Sequence, residues 1–176
     1  KDIIDFTGIL IGLVLGTLLG SVIAIWTPMT AMPQRTAMSH ACGALAVCLV
    51  GVAKYYEHGA DLGMVKMLAV AFEVIFGALT VTGSLIAMAK LQGVIKGTPM
   101  TFKGQNFVNI SLFFVLIGLG IYLVFVPTAA CLFYLMLGLS LIFGVMLVLP
   151  IGAADMPVII SLLNSYAGLA ACATGF

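Results

Sequence analysis

Charge is scarce in this sequence. Seven basic and six acidic side chains are spread over 176 residues, 7% of the total, against about 25% in an ordinary soluble domain. So few charges cannot cover a water-facing surface of that size, and lipid must solvate most of it. The net charge is +1 and no basic run occurs, which excludes a nucleic-acid partner and a polybasic membrane-surface patch. Cysteine is limited to Cys42, Cys48, Cys131 and Cys172. None forms a C-x-x-C pair, and all read as small core hydrophobes. There is no phosphate-binding glycine loop. Gly118-Leu119-Gly120 lies inside an apolar run with no strand before it, so it is not a dinucleotide fingerprint. His40 and His58 lie at different depths and make no metal cluster, and no nucleophile–base pair is visible. Lys1, Asp2 and Asp5 precede a long apolar run without a cleavage-like site, which argues against a signal peptide. The expectation is a chain that binds no metal and no cofactor and performs no hydride chemistry by itself.

What is present is apolar. Hydrophobic residues make up 63% of the chain, and the mean hydropathy is +1.28. Six long runs are separated by short polar or proline-marked breaks. They cover about Phe6 to Trp26, Met32-Pro33 to Tyr56, Leu62 to Leu91, Asn106 to Val126, Ala130 to Leu149, and the stretch from Asp155-Met156-Pro157 onward. About 20 residues of helix cross the hydrocarbon core. The runs lack the two-residue alternation of a barrel, and open sheet edges have no partners in lipid. The fold class is therefore all-α: a polytopic transmembrane helical bundle of about six helices, with residues 1–176 forming one membrane domain. The chain ends within an apolar segment, so it reads as part of a longer protein. Arg35, Lys90, Lys96 and Lys103 fall on one side of the membrane, and Lys1, Lys54 and Lys66 on the other. This bias places the first set, with the Asp155 turn, on the inside. Gly8, Gly12, Gly16 and Gly20 form a stripe suited to close helix packing.

Polar residues at membrane depth carry the functional information, because burying them costs free energy that packing does not require. His40 lies seven residues after Pro33, about 10 Å along its helix and near the bilayer centre. An imidazole, with an ordinary pKa of about 6.5, gains and loses protons under cellular conditions. The competing reading is a neutral ring bonded to a backbone carbonyl. Asn164 lies nine residues after Asp155 and should reach a similar depth, with Ser161, Ser165 and Gly168 within a turn. Its amide could hold a water beside an imidazole or serve as interhelical glue. Glu73, Gly77, Thr80 and Ser84 share one helical face, a polar lining unless the hydroxyls bond back to their own helix. Asp155, before Met156-Pro157, is either a helix cap or a hinge contact, with Gly152-Ala153-Ala154 as a flexible lead-in.

These residues carry a family resemblance. Gly152-Ala153-Ala154-Asp155-Met156-Pro157 and the following stretch to Asn164-Ser165-Tyr166-Ala167-Gly168 resemble the GGADMPVV-S-LNSYSG segment of the proton-translocating NAD(P) transhydrogenase β subunit. Thr80-Val81-Thr82-Gly83-Ser84, with Lys90-Leu91-Gln92-Gly93, resembles that family's T-x-TGS-x-x-A-x-x-KL-x-G segment. Met32-Pro33 with His40 resembles its MP-x(6)-H helix, and order and spacing agree from about Gly8 onward. Two departures stand out. Ala153 occupies the place of a usual second glycine, and some relatives carry the third-helix carboxylate where this chain has Ala69.

The resemblance implies a membrane domain that conducts protons while partner domains exchange hydride between NAD(H) and NADP(H). It implies that His40 relays the proton, that Asn164 stands near it, and that Asp155 faces the NADP(H)-binding domain. The implied partners are the lipid bilayer, the transhydrogenase α subunit and the NADP(H)-binding domain, in a homodimer of the full complex. The implied location is the bacterial cytoplasmic membrane or, alternatively, the mitochondrial inner membrane. The expected proton pathway is Glu73, Thr80, Ser84, His40, Asn164 and Ser161, with Asp155 and Gly152 as the coupling hinge. The rival readings are a proton- or ion-coupled solute transporter, for which no inverted repeat is seen, and a purely structural membrane subunit.

Overall fold

The computed structural model describes residues 6–59 and 62–175. Lys1, Asp2 and Asp5 lie outside the described residues. The chain divides into two compact units, Lys1–Met32 and Pro33–Phe176. In the first, α1 spans Thr7–Trp26 and a short 3₁₀ turn follows at Met29–Ala31. Thr27, which precedes Pro28, is extended, as proline sterics demand, and this ends α1. The residues of α1, including the four stripe glycines, are exposed.

The second unit holds the rest of α2 (Met32–His58) together with α3 (Met64–Leu91), α4 (Gln105–Phe125), α5 (Ala130–Val148) and α6 (Met156–Ala173). All six helices are long and apolar enough to cross a membrane, and no strand occurs among the described residues. The boundaries follow local chemistry. Gly93 takes φ +74°, the left-handed conformation that closes α3, and the Val94 amide bonds back to Ala89. Pro157 sits in the first turn of α6, where its missing N–H removes no helical bond.

Helix α3 is the axis of the second unit. It packs on α4, α5 and α6, and its small residues let backbones approach. In lipid there is no hydrophobic drive between helices, so close van der Waals packing and interhelical hydrogen bonds must hold them. At Gly77, an added Cβ would lie 3.0 Å from the Cβ of Cys48 on α2. At Gly144 on α5, an added Cβ would overlap the Leu79 carbonyl and the Thr82 hydroxyl of α3. Thr82 also donates to the Leu141 carbonyl across that contact at 2.7 Å. Near the C-terminal end of α2, the Tyr55 ring stacks on Phe133 at 3.9 Å, and its hydroxyl donates to the Pro127 carbonyl at 2.8 Å.

Candidate functional site

Helix α2 buries Ala37, Ala41, Ala44, Cys48, Gly51 and Tyr55, at alternating spacings of four and three residues. That stripe lies against α3, and three contacts fix the register. Gly51 faces Val74 and Glu73, Cys48 faces Gly77, and the Gln34 side-chain amide donates to the Leu91 carbonyl at 3.0 Å. The helices are thus antiparallel, and the same register brings His40 level with Ser84 and Leu85.

Between these two helices the interior changes character. Glu73, Thr80 and Ser84 are buried on the α3 face, and His40 stands half-buried at the rim of the α2 stripe. His40 Nδ1, both Glu73 carboxylate oxygens, Thr80 Oγ1 and Ser84 Oγ are all buried without a hydrogen-bond partner. The hydroxyls could have bonded back to their own helix, as Thr82 and Ser140 do, but they do not. Buried polar groups are rarely left unpaired, and water is the group small enough to serve them here. Glu73 and Ser84 lie about 16 Å apart along α3, and the step from Glu73 to Thr80 is about 10 Å. Hydrogen-bond lengths of about 3 Å mean that a proton crossing that step needs two or three waters.

The Glu73 end of this seam opens on a cavity of about 350 Å³ lined by Lys54, His58, Lys66 and Thr174, among others. Lys54 marks the boundary. Its ammonium donates to the Thr174 carbonyl at the end of α6 and stands 3.9 Å from the Glu73 carboxylate. Glu73 itself is fully buried, so Lys54 lies between it and the cavity. His58 instead pairs with Glu57 at 3.8 Å on the exposed surface.

Asn164 and Ser161 are placed differently. Helix α6 packs on α3 through Leu163, which meets Gly83, and Tyr166 meets Phe76 ring to ring at 5.5 Å. That register puts Asn164 within about one turn of His40 in depth. Yet Asn164, Ser161, Ser165 and Gly168 lie on the exposed face of α6, and Asn164 makes no hydrogen bond among the described residues. The helices therefore gather His40, Glu73, Thr80 and Ser84 into one seam, while Asn164 and Ser161 face outward.

At the start of α6, Asp155 occupies the cap position but forms no side-chain cap bond, and it is exposed. Gly152 has an ordinary extended backbone, φ −71° and ψ 157°, which any residue could adopt. Lys90 is not the loop charge suggested by its place in the sequence. It is a buried side chain in the last turn of α3, because the helix runs past it to Leu91 and turns it inward. Lys54 likewise lies within α2, which continues to His58. Sequence reasoning did not single out Lys54, Lys90 or Gly51 as site residues. The available signal was a lysine within reach of the carboxylate-bearing helix. Among the described residues no group of three or more metal-ligating side chains exists.

A bundle of membrane-length apolar helices with a polar seam between α2 and α3 defines the class: a polytopic helical membrane protein. Comparison with known proteins carries this further. The family model described as NAD(P) transhydrogenase beta subunit matches residues 1–176. Two Rhodospirillum rubrum proteins, both named NAD(P) transhydrogenase subunit beta, are each 36% identical over 178 residues, which covers 97% of this chain. The chain belongs to the NAD(P) transhydrogenase beta subunit family. It spans 38% of the length of those relatives.

Proposed function

We propose that this chain is the proton-conducting membrane part of a transhydrogenase, coupling proton passage to hydride transfer between NAD(H) and NADP(H) held on soluble domains. The observation that carries the reading is the seam between α2 and α3. There one imidazole nitrogen, one carboxylate and two hydroxyls are buried without a hydrogen-bond partner, and the charge nearest the carboxylate is the Lys54 ammonium at 3.9 Å. A purely structural subunit gains nothing from such groups, since each costs free energy unless water reaches it.

In this reading a proton enters the outer cavity, passes Lys54 to Glu73, and moves along water held by Thr80 and Ser84. His40 takes it up and releases it toward the inner side. Asn164, on the outward face of α6 at similar depth, would serve the route from beyond the five packed helices rather than from inside them. Asp155, exposed and uncapped, is free to contact a soluble domain. For coupling, the two protonation states of the seam must favour different conformations. The chain itself binds neither nicotinamide nucleotide and transfers no hydride. Its partners are an α subunit and an NADP(H)-binding domain, in a homodimeric complex in the bacterial cytoplasmic membrane. A solute transporter is disfavoured, since the groups buried in the seam are an imidazole, a carboxylate and two hydroxyls, which suit water and protons.

The test is His40→Ala in the complete enzyme, reconstituted in vesicles. Proton pumping should vanish while the complex still assembles. Full proton-coupled transhydrogenation in that variant would remove the relay.

A further inference from the structure

Lys90 is 2% exposed, and among the described residues it has no carboxylate partner. A buried ammonium without a counter-ion is costly, so something must offset it. Its Nζ donates to the Leu149 carbonyl at the end of α5 and to the Ile151 carbonyl in the following turn, the latter at 2.7 Å. The carbonyls at a helix C-terminus carry partial negative charge, which suits a cation. One side chain thus joins the inner end of α3, the end of α5, and the turn that leads to Asp155.

Two backbone bonds make a second tie between the same parts. The Met100 amide donates to the Leu149 carbonyl at 3.3 Å, and the Ala153 amide donates to the Gly97 carbonyl at 2.8 Å. Each has one partner in the loop that follows α3: Met100 as donor in the first, Gly97 as acceptor in the second. Helix α6 begins directly after this turn, at Met156. Ser84 lies six residues before Lys90 on the same helix, about 9 Å away along its axis. A rigid helix carries any shift at the seam to its end, and there Lys90 grips the turn.

We propose that Lys90 is a positioning residue that links proton occupancy of the α2–α3 seam to the position of the Asp155 turn. This rests on the proton-conducting reading given above. A neutral, apolar side chain of the same length would fill the space and hold neither carbonyl. The turn would then be held only by the two backbone bonds to the loop after α3, and the link from the helix itself to what Asp155 touches would be lost.

The experiment uses the complete enzyme in vesicles and compares protons pumped per hydride transferred. In Lys90→Met this ratio should fall by roughly fivefold or more, the lower range of coupling between sites. Hydride transfer should stay within about twofold of the parent, because the soluble domains are untouched. Lys90→Arg, which keeps both donors, should restore the ratio. The inference is overturned if Lys90→Met keeps the parental ratio, or if pumping and hydride transfer fall in proportion, as a merely structural role predicts. If Lys90→Met does not accumulate, Lys90→Gln is judged by the same ratio. His40→Ala separates the two claims: pumping that survives it removes the proton route itself. Pumping lost there with an unchanged ratio in Lys90→Met removes only the link.

Discussion

Gly77 meets backbone atoms of Cys48 across the seam, and replacing Gly77 with alanine tests whether that approach sets the geometry. The new Cβ would lie 3.0 Å from Cys48 Cβ and 3.2 Å from both Cys48 Cα and N. Two of these three atoms are backbone and cannot rotate aside, so α2 and α3 must part by a few tenths of an ångström. Overpacking of this kind costs about 1–3 kcal/mol. Alanine recovers about 0.5–1 kcal/mol of helix propensity, so the net loss is smaller. Gly118→Ala on α4 isolates the propensity part, because nothing lies within 4 Å of its added Cβ. The difference between the two variants should therefore be the steric term alone, about 1–3 kcal/mol. Unfolding titrations of the purified complex in mixed micelles measure it. Proton pumping should fall in Gly77→Ala as well, since the parted helices no longer hold Thr80 and Ser84 at water-bridging distance from α2. Equal stability of Gly77→Ala and Gly118→Ala would refute the claim that this contact fixes the seam.

Two further substitutions separate stability from function. Thr80→Val removes a buried hydroxyl that has no partner, so stability should stay level or rise by about 1 kcal/mol while proton-coupled turnover drops. Unfolding titrations and vesicle pumping on the same sample check both halves. Tyr55→Phe keeps the stack on Phe133 and loses only the bond to the Pro127 carbonyl, costing about 1 kcal/mol by denaturant titration. Tyr55→Ala loses both and should cost about 3–5 kcal/mol.

The spans were legible because prolines, loop polarity and run length act locally. Pro28, Pro33 and Pro157 mark helix ends or starts in sequence and in structure alike. The face shared by Glu73, Thr80 and Ser84 was equally plain from helical spacing. Which helix that face meets was not, because in lipid the choice of partner depends on small residues such as Gly51 and Gly77 rather than on an apolar stripe. Lys90 was counted with the loop charges for a related reason, although the third run already contained it. A charge near the end of an apolar run looks like a loop charge, and only the neighbouring end of α5 explains why it turns inward. Asn164 shows the opposite limit: its depth could be counted from Asp155, but its direction depends on which face of α6 holds Leu163 against Gly83.

The hydrogen-bonded turn between α5 and α6 also bears on how the protein is made. Helix α6 is the least apolar of the six spans, and its exposed face carries Ser161, Asn164 and Ser165. Such a segment partitions from the translocon into the bilayer less readily than its neighbours do. Helix α5 has no charged residue and is among the most apolar spans. Joined through so short a connection, the two can insert as a hairpin, with the greasy arm carrying the polar one. Lengthening that connection should therefore leave α6 stranded outside the bilayer during biogenesis.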